Sequence, residues 1–157
     1  MKPLIKYIIV FCVFSINAYI LSAQPDFSGT WILDHGKSDA EFRDYHITCT
    51  ITQKDTTFTV EQVLVTKNGE KSSMPAITYN LNGKEEIKEE QEGKSRLLAT
   101  WSTPDQKTIK IQYIRNIAGT QVGSITIYKL SENEQFLTIR SSDLKGDSPM
   151  VQVYKKK

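Results

Sequence analysis

The feature that most constrains this chain is a rhythm. From Phe27 onward, short runs rich in Ile, Val, Thr, Tyr and Phe are separated by Gly, Asn, Asp and Pro about every ten residues. No stretch of helical length places apolar residues at i, i+3, i+4 and i+7. The sequence therefore predicts an all-β protein, with room for one helical turn between Asp39 and Asp44. Strands are expected over 27–34, 45–52, 57–66, 76–81, 84–90, 95–102, 108–115, 122–130, 135–141 and 150–155.

Alternation is clearest where Tyr45, Ile47, Cys49 and Ile51 interleave with His46, Thr48, Thr50 and Thr52. Successive strand side chains point to opposite faces, so one face of this segment belongs to a core. Leu97, Ala99 and Trp101, and Ile109, Ile111 and Tyr113, repeat the pattern. By contrast, 84–90 has Ile87 as its single apolar residue and is expected to face solvent on most of its surface.

The connections are short. Asn68-Gly69 and Asn82-Gly83 are hairpin signals, because both residue types tolerate positive φ. Pro104-Asp105, Ser131 to Asn133 and Lys145 to Asp147 supply ordinary turn residues. Such loops cannot hold a parallel crossover, so neighbours in sequence become antiparallel neighbours in space. The expected topology is an up-and-down meander of eight to ten strands, closed into a barrel to remove its exposed edges.

Ahead of the strands stand a basic start, Lys2 to Lys6, and an apolar run from Tyr7 to Leu21 that ends at Leu21-Ser22-Ala23. This is the layout of a secretory signal cleaved after Ala23. The run is too short and too polar for a retained span, so no membrane segment is expected in the mature form. Cys12 follows bulky Phe11 inside the apolar run, which argues against lipid attachment. The mature domain is then 24–157, secreted or periplasmic, with Cys49 as its single cysteine and no internal disulfide. One cysteine suits a bacterial envelope better than a disulfide-rich secretion.

Without Lys2 and Lys6 the mature chain has 18 basic and 18 acidic residues. That balance argues against nucleic acid as a partner. The terminal Lys155 to Lys157 reads as a solvated end.

At the mature N-terminus, Phe27-Ser28-Gly29-Thr30-Trp31 resembles the Gly-x-Trp opening of the calycin superfamily, the lipocalins and fatty-acid-binding proteins. The resemblance implies a lipocalin-like barrel in which Gly29 permits a close approach and Trp31 plugs the closed end. The closing segment Val151 to Lys155 is similar to the last strand of fatty-acid-binding proteins, which often carries Arg-x-Tyr facing inward. Gln152 and Tyr154 occupy those positions here, so the charge that would recruit a carboxylate is missing. Gln152 and Tyr154 either face the interior or face solvent while Val151 and Val153 face the core. The segment between the first two strands is too short for the helical pair of fatty-acid-binding proteins, and no long C-terminal helix follows. The chain thus looks like a divergent, minimal bacterial member.

The densest set of candidate acid, base or ligand groups is Asp34, His35, Asp39, Glu41, Asp44 and His46. It lacks the fixed His or Cys spacing of a metal site, and neither histidine lies in a nucleophile motif, so no metal, cofactor or catalytic role is expected. Cys49 alternates with isoleucines as a small buried hydrophobe would. The sequence therefore points to an exported, non-catalytic protein binding a small apolar or amphipathic molecule in the barrel, oriented by Gln152, Tyr154, Tyr113 and Arg115. Its rivals are a solid barrel acting as a protein interaction module, and an enzyme using the His35 to His46 region.

Overall fold

The computed structural model describes residues 25–90, 93–102 and 107–157. The expected signal segment and the Pro104-Asp105 turn lie outside the described residues. Ten strands form a single antiparallel sheet: β1 (Gly29–Leu33), β2 (Tyr45–Lys54), β3 (Thr57–Thr66), β4 (Lys71–Asn80), β5 (Glu86–Glu90), β6 (Gly93–Trp101), β7 (Thr108–Ile117), β8 (Thr120–Leu130), β9 (Phe136–Asp143) and β10 (Met150–Lys156). A 3-10 turn, Ala40–Phe42, falls inside the segment expected to hold one helical turn. Among the described residues no helix is long and apolar enough to cross a membrane.

The order around the barrel is β4-β3-β2-β1-β10-β9-β8-β7-β6-β5. Every ladder follows the chain except one, which brings the two ends together by pairing Trp31 with Lys156 and Leu33 with Tyr154. This pairing curls the meander. The other junction stays open: β4 and β5 follow one another in sequence, yet both are edges of the sheet.

Here the expected hairpin at Asn82-Gly83 is corrected. Asn80 Oδ1 accepts from the amide of Asn82, and Asn82 Oδ1 accepts from the amide of Lys84. Gly83 takes φ of +71°. These side-chain turns reverse the chain locally and need no cross-strand partner. Leu81, buried and donating its amide to the Thr56 carbonyl, anchors the connection to the base of β3 instead. Asn68-Gly69 does close a hairpin, between β3 and β4.

The core gathers at one end. Phe27, Trp31, Phe58, Ile109 and Leu137 have no exposed surface there. Phe27 meets Phe58 edge-on at 5.7 Å between centroids, and Phe58 meets Tyr128 at 5.1 Å. The Gln53 side chain fixes the entering chain by accepting from the Phe27 amide and donating to the Pro25 carbonyl. Gly29 has φ of +140°, which a residue with a Cβ rarely adopts. Its missing side chain leaves room for Lys156, whose ammonium lies 5.1 Å from the Trp31 ring centroid.

Candidate functional site

Away from that floor, the inward positions become polar. Alternation places Ile109, Ile111, Tyr113 and Arg115 of β7 on one face, opposite Tyr128, Thr126, Ser124 and Val122 of β8. Ile109 and Ile111 fall near the floor, and Tyr113, Arg115 and Ser124 toward the open end. The interior above the floor is hollow, in two lobes that share Ile77, Tyr79 and Thr126 as walls.

The larger lobe has a volume of about 320 Å³. Its apolar wall comes from Leu97 and Ile111, and its polar wall from Lys88, Glu90, Ser95 and Tyr113. Glu90 organises the polar wall. Its carboxylate accepts from the buried Ser95 hydroxyl at 2.6 Å and from the Tyr113 hydroxyl at 3.3 Å, and lies 3.6 Å from Arg115 Nε. The Ser95 hydrogen bond, then the Tyr113 bond and the charges of Arg115 and Lys88, hold the Glu90 carboxyl below its ordinary pKa. The polar wall thus carries a settled negative charge flanked by two cations.

The smaller lobe, about 150 Å³, reaches across to β9 and β10, with Gln62, Ser141 and Gln152 among its walls. Beneath it Tyr154 is fully buried, and its hydroxyl accepts from Gln62 Nε2 at 3.3 Å. Burial pushes the Tyr154 and Tyr128 phenols up, so both stay neutral donors. Gln152 and Tyr154 stand opposite Ile139 and Leu137, on the interior side of β10.

The four expected ligand-orienting residues therefore fall in different places. Gln152 lines the smaller lobe and Tyr113 the larger. Arg115 stands at the rim, engaged with Glu90. Tyr154 lies under the hollow and reaches it through Gln62. Sequence reasoning missed Glu90, Lys88, Ser95 and Gln62. In β5 the apolar marker Ile87 turns outward and is 61% exposed, so the inward face is the charged one. A period of two locates faces, but without an apolar set it cannot say which face is inside.

The His35 to His46 segment is arranged differently. The two imidazoles meet edge-on at 5.7 Å, and His35 Nδ1 is buried without a hydrogen-bond partner. The neighbouring carboxylates face other groups. Asp34 accepts from the Gly36 amide, Asp39 from the Val151 amide at 2.6 Å, and Asp44 pairs with Lys67. Among the described residues no three His, Cys, Asp or Glu side chains come together. Cys49 is fully buried, and desolvation pushes its thiol up to about 12.

Neither a protein-family model nor a curated protein sequence matches the chain. Solved structures do. Secretory abundant heat soluble protein 4 from Ramazzottius varieornatus is similar with a TM-score of 0.52 at 13% identity, over 83% of this chain and 94% of that one. A second secretory abundant heat soluble protein from Ramazzottius varieornatus gives a TM-score of 0.49 at 12% identity, over 83% and 95%. The fatty-acid-binding protein of Manduca sexta gives 0.44 at 10% identity, over 83% and 99%. At these identities the first match speaks for the fold alone: the chain shares that protein's up-and-down β-barrel architecture.

Proposed function

We propose that this chain is an exported, non-catalytic binding protein that holds a small apolar or amphipathic molecule inside its barrel. The observation that carries the reading is the two-lobed interior, whose larger lobe alone is about 320 Å³. Small-molecule sites begin at about 300 Å³ and pair apolar walls with a few placed polar groups. The lobe has that character, with Leu97 and Ile111 on one side and Ser95 and Tyr113 on the other. Gln152 and Tyr113 orient the polar end of the guest, Tyr154 positions Gln62, and Arg115 with Glu90 sets the charge at the rim. The wall residues include no activated nucleophile, and hydroxyls held by Glu90 serve as positioning groups. Export, to the periplasm or outside the cell, rests on the basic start, the apolar run Tyr7 to Leu21 and the small residue Ala23.

The test is a thermal-shift series with retinoids, lipids and other small amphiphiles, beside native mass spectrometry of protein purified from its own host. A guest that co-purifies, or raises the melting temperature in proportion to its concentration, supports the reading. Thr126→Trp, which places an indole between the lobes, should abolish the shift while the protein still melts cooperatively. No shift with any compound and no co-purified guest refutes it.

A further inference from the structure

The apolar lining of the hollow is most exposed along β4, an edge of the sheet, and the route of entry inferred from it rests on the binding reading above. The apolar wall residues most open to water lie on β4: Met74 is 49% exposed and Ile77 50%, whereas Ile111 and Tyr128 on the far side are 4% and 6%. An apolar side chain that lines a cavity and is also half in water marks where that cavity meets the surface. The larger lobe is walled by both sheet edges, with Ile77 and Tyr79 from β4 and Lys88 and Glu90 from β5. No ladder closes the sheet between them.

The two lips are unequal. β5 has five residues and is hydrogen-bonded on one side only, to β6. Its terminal Glu90 is fastened to Ser95 of β6 and to Tyr113 and Arg115 of β7. These contacts hold β5 back from β4. At the floor, Phe27, Trp31 and Phe58 are fully buried and leave no passage. Strand addition by a partner is a less suitable use of the β4 edge. Pro75, in the middle of that strand, has no amide to donate and sits where the β3 register shifts between Val60 and Gln62.

We propose that a small amphiphile enters and leaves the cavity sideways, between β4 and β5, with its apolar part passing Met74 and Ile77 and its polar end passing Lys88 and Glu90. Exchange is then governed by the spreading of the two lips.

The experiment bridges the lips. Ala76→Cys and Ile87→Cys, on β4 and β5 and outside the cavity wall, are introduced with Cys12→Ser and joined by a short bifunctional maleimide. Cys49 is fully buried and stays unlabelled. Binding of anilinonaphthalene sulfonate is followed by stopped-flow fluorescence, with the same variant capped by a monofunctional maleimide on each thiol as reference. Bridging should slow association and dissociation together, by about tenfold or more. A bulky maleimide on Met150→Cys, at the open end, should leave both rates within about twofold. Saturable binding with rates insensitive to the bridge, or slowed by the label at 150, overturns the sideways route and leaves the binding reading standing. If the uncrosslinked protein binds no probe, the binding reading fails and the route with it.

Discussion

The indole Nε1 of Trp31 donates to the carbonyl oxygen of Phe27 at 3.0 Å, with both residues fully buried. A buried N–H needs a partner, and here the residue four positions earlier supplies it across the bend at Gly29. The bond lets the largest side chain of the floor sit with no polar atom stranded. Lys156 covers the ring from the closing strand, so the floor and the terminal ladder are one unit.

Trp31→Ala should cost about 3–5 kcal/mol, the range for a large aromatic removed from a core. Trp31→Phe should recover most of the packing, while leaving the Phe27 carbonyl without its donor and costing about 1–3 kcal/mol. Urea denaturation with a constant m-value checks both, and an unchanged midpoint for Trp31→Ala would contradict the plugged floor.

Gly123 stands opposite Ile114 in the β7–β8 ladder, and a Cβ built there falls 2.0 Å from the Tyr113 carbonyl oxygen. The obstacle is backbone and cannot rotate away. Gly123→Ala should therefore destabilise by at least about 1–3 kcal/mol, as overpacking does, and should displace Tyr113 from the cavity wall. Chemical denaturation and the affinity for an amphiphile should fall together, and a neutral substitution would mean that the strands separate freely here.

Glu90 links stability to acid. Its folded pKa lies below the ordinary 4.5. Its contribution is therefore complete above that value and lost as pH falls through the lower, folded pKa. Melting temperatures measured from pH 6 down to about pH 3 should decline less steeply in Glu90→Gln than in the parent. Parallel declines would show that the contacts with Ser95, Tyr113 and Arg115 contribute nothing.

Cys49 acts at the alkaline end with the opposite sign. Its thiol is raised from 9.0 to about 12 by burial, so the unfolded chain loses its proton first. The contribution is whole below pH 9 and is lost progressively as pH rises through about 12. Cys49→Ala should flatten the alkaline limb of the stability profile. A thiol reagent should modify native Cys49 only at the rate of unfolding, and rapid labelling at pH 8 would contradict its burial.

Much of the barrel is legible locally. The alternation of Tyr45 to Thr52 gives β2 its core face, with Ile47, Cys49 and Ile51 buried. Gly29 and Trp31 point to the floor only through the resemblance of Gly-x-Trp to a calycin opening, and Trp31 is fully buried. Of the aromatic side chains spread over the strands, Phe58, Tyr79, Trp101, Tyr113 and Tyr128 turn inward, while Phe136 lies outside under the Lys37 ammonium at 3.5 Å. Of the polar wall the sequence singles out Tyr113 but not Glu90 or Ser95, because the inward face of β5 carries no apolar set to mark it.

The sequence by itself determined most of the strands, their meander order and the inward face wherever an apolar set alternates, as in β2, since period-two alternation and turn chemistry act over a few residues. Tertiary structure decided where the ring of strands fails to close, because pairing depends on what lies across the barrel. The Asn82-Gly83 turn would have served a hairpin equally well. Curling the sheet so that β1 meets β10 is what sets β4 and β5 apart, brings Glu90 to Arg115, and leaves the hollow between them.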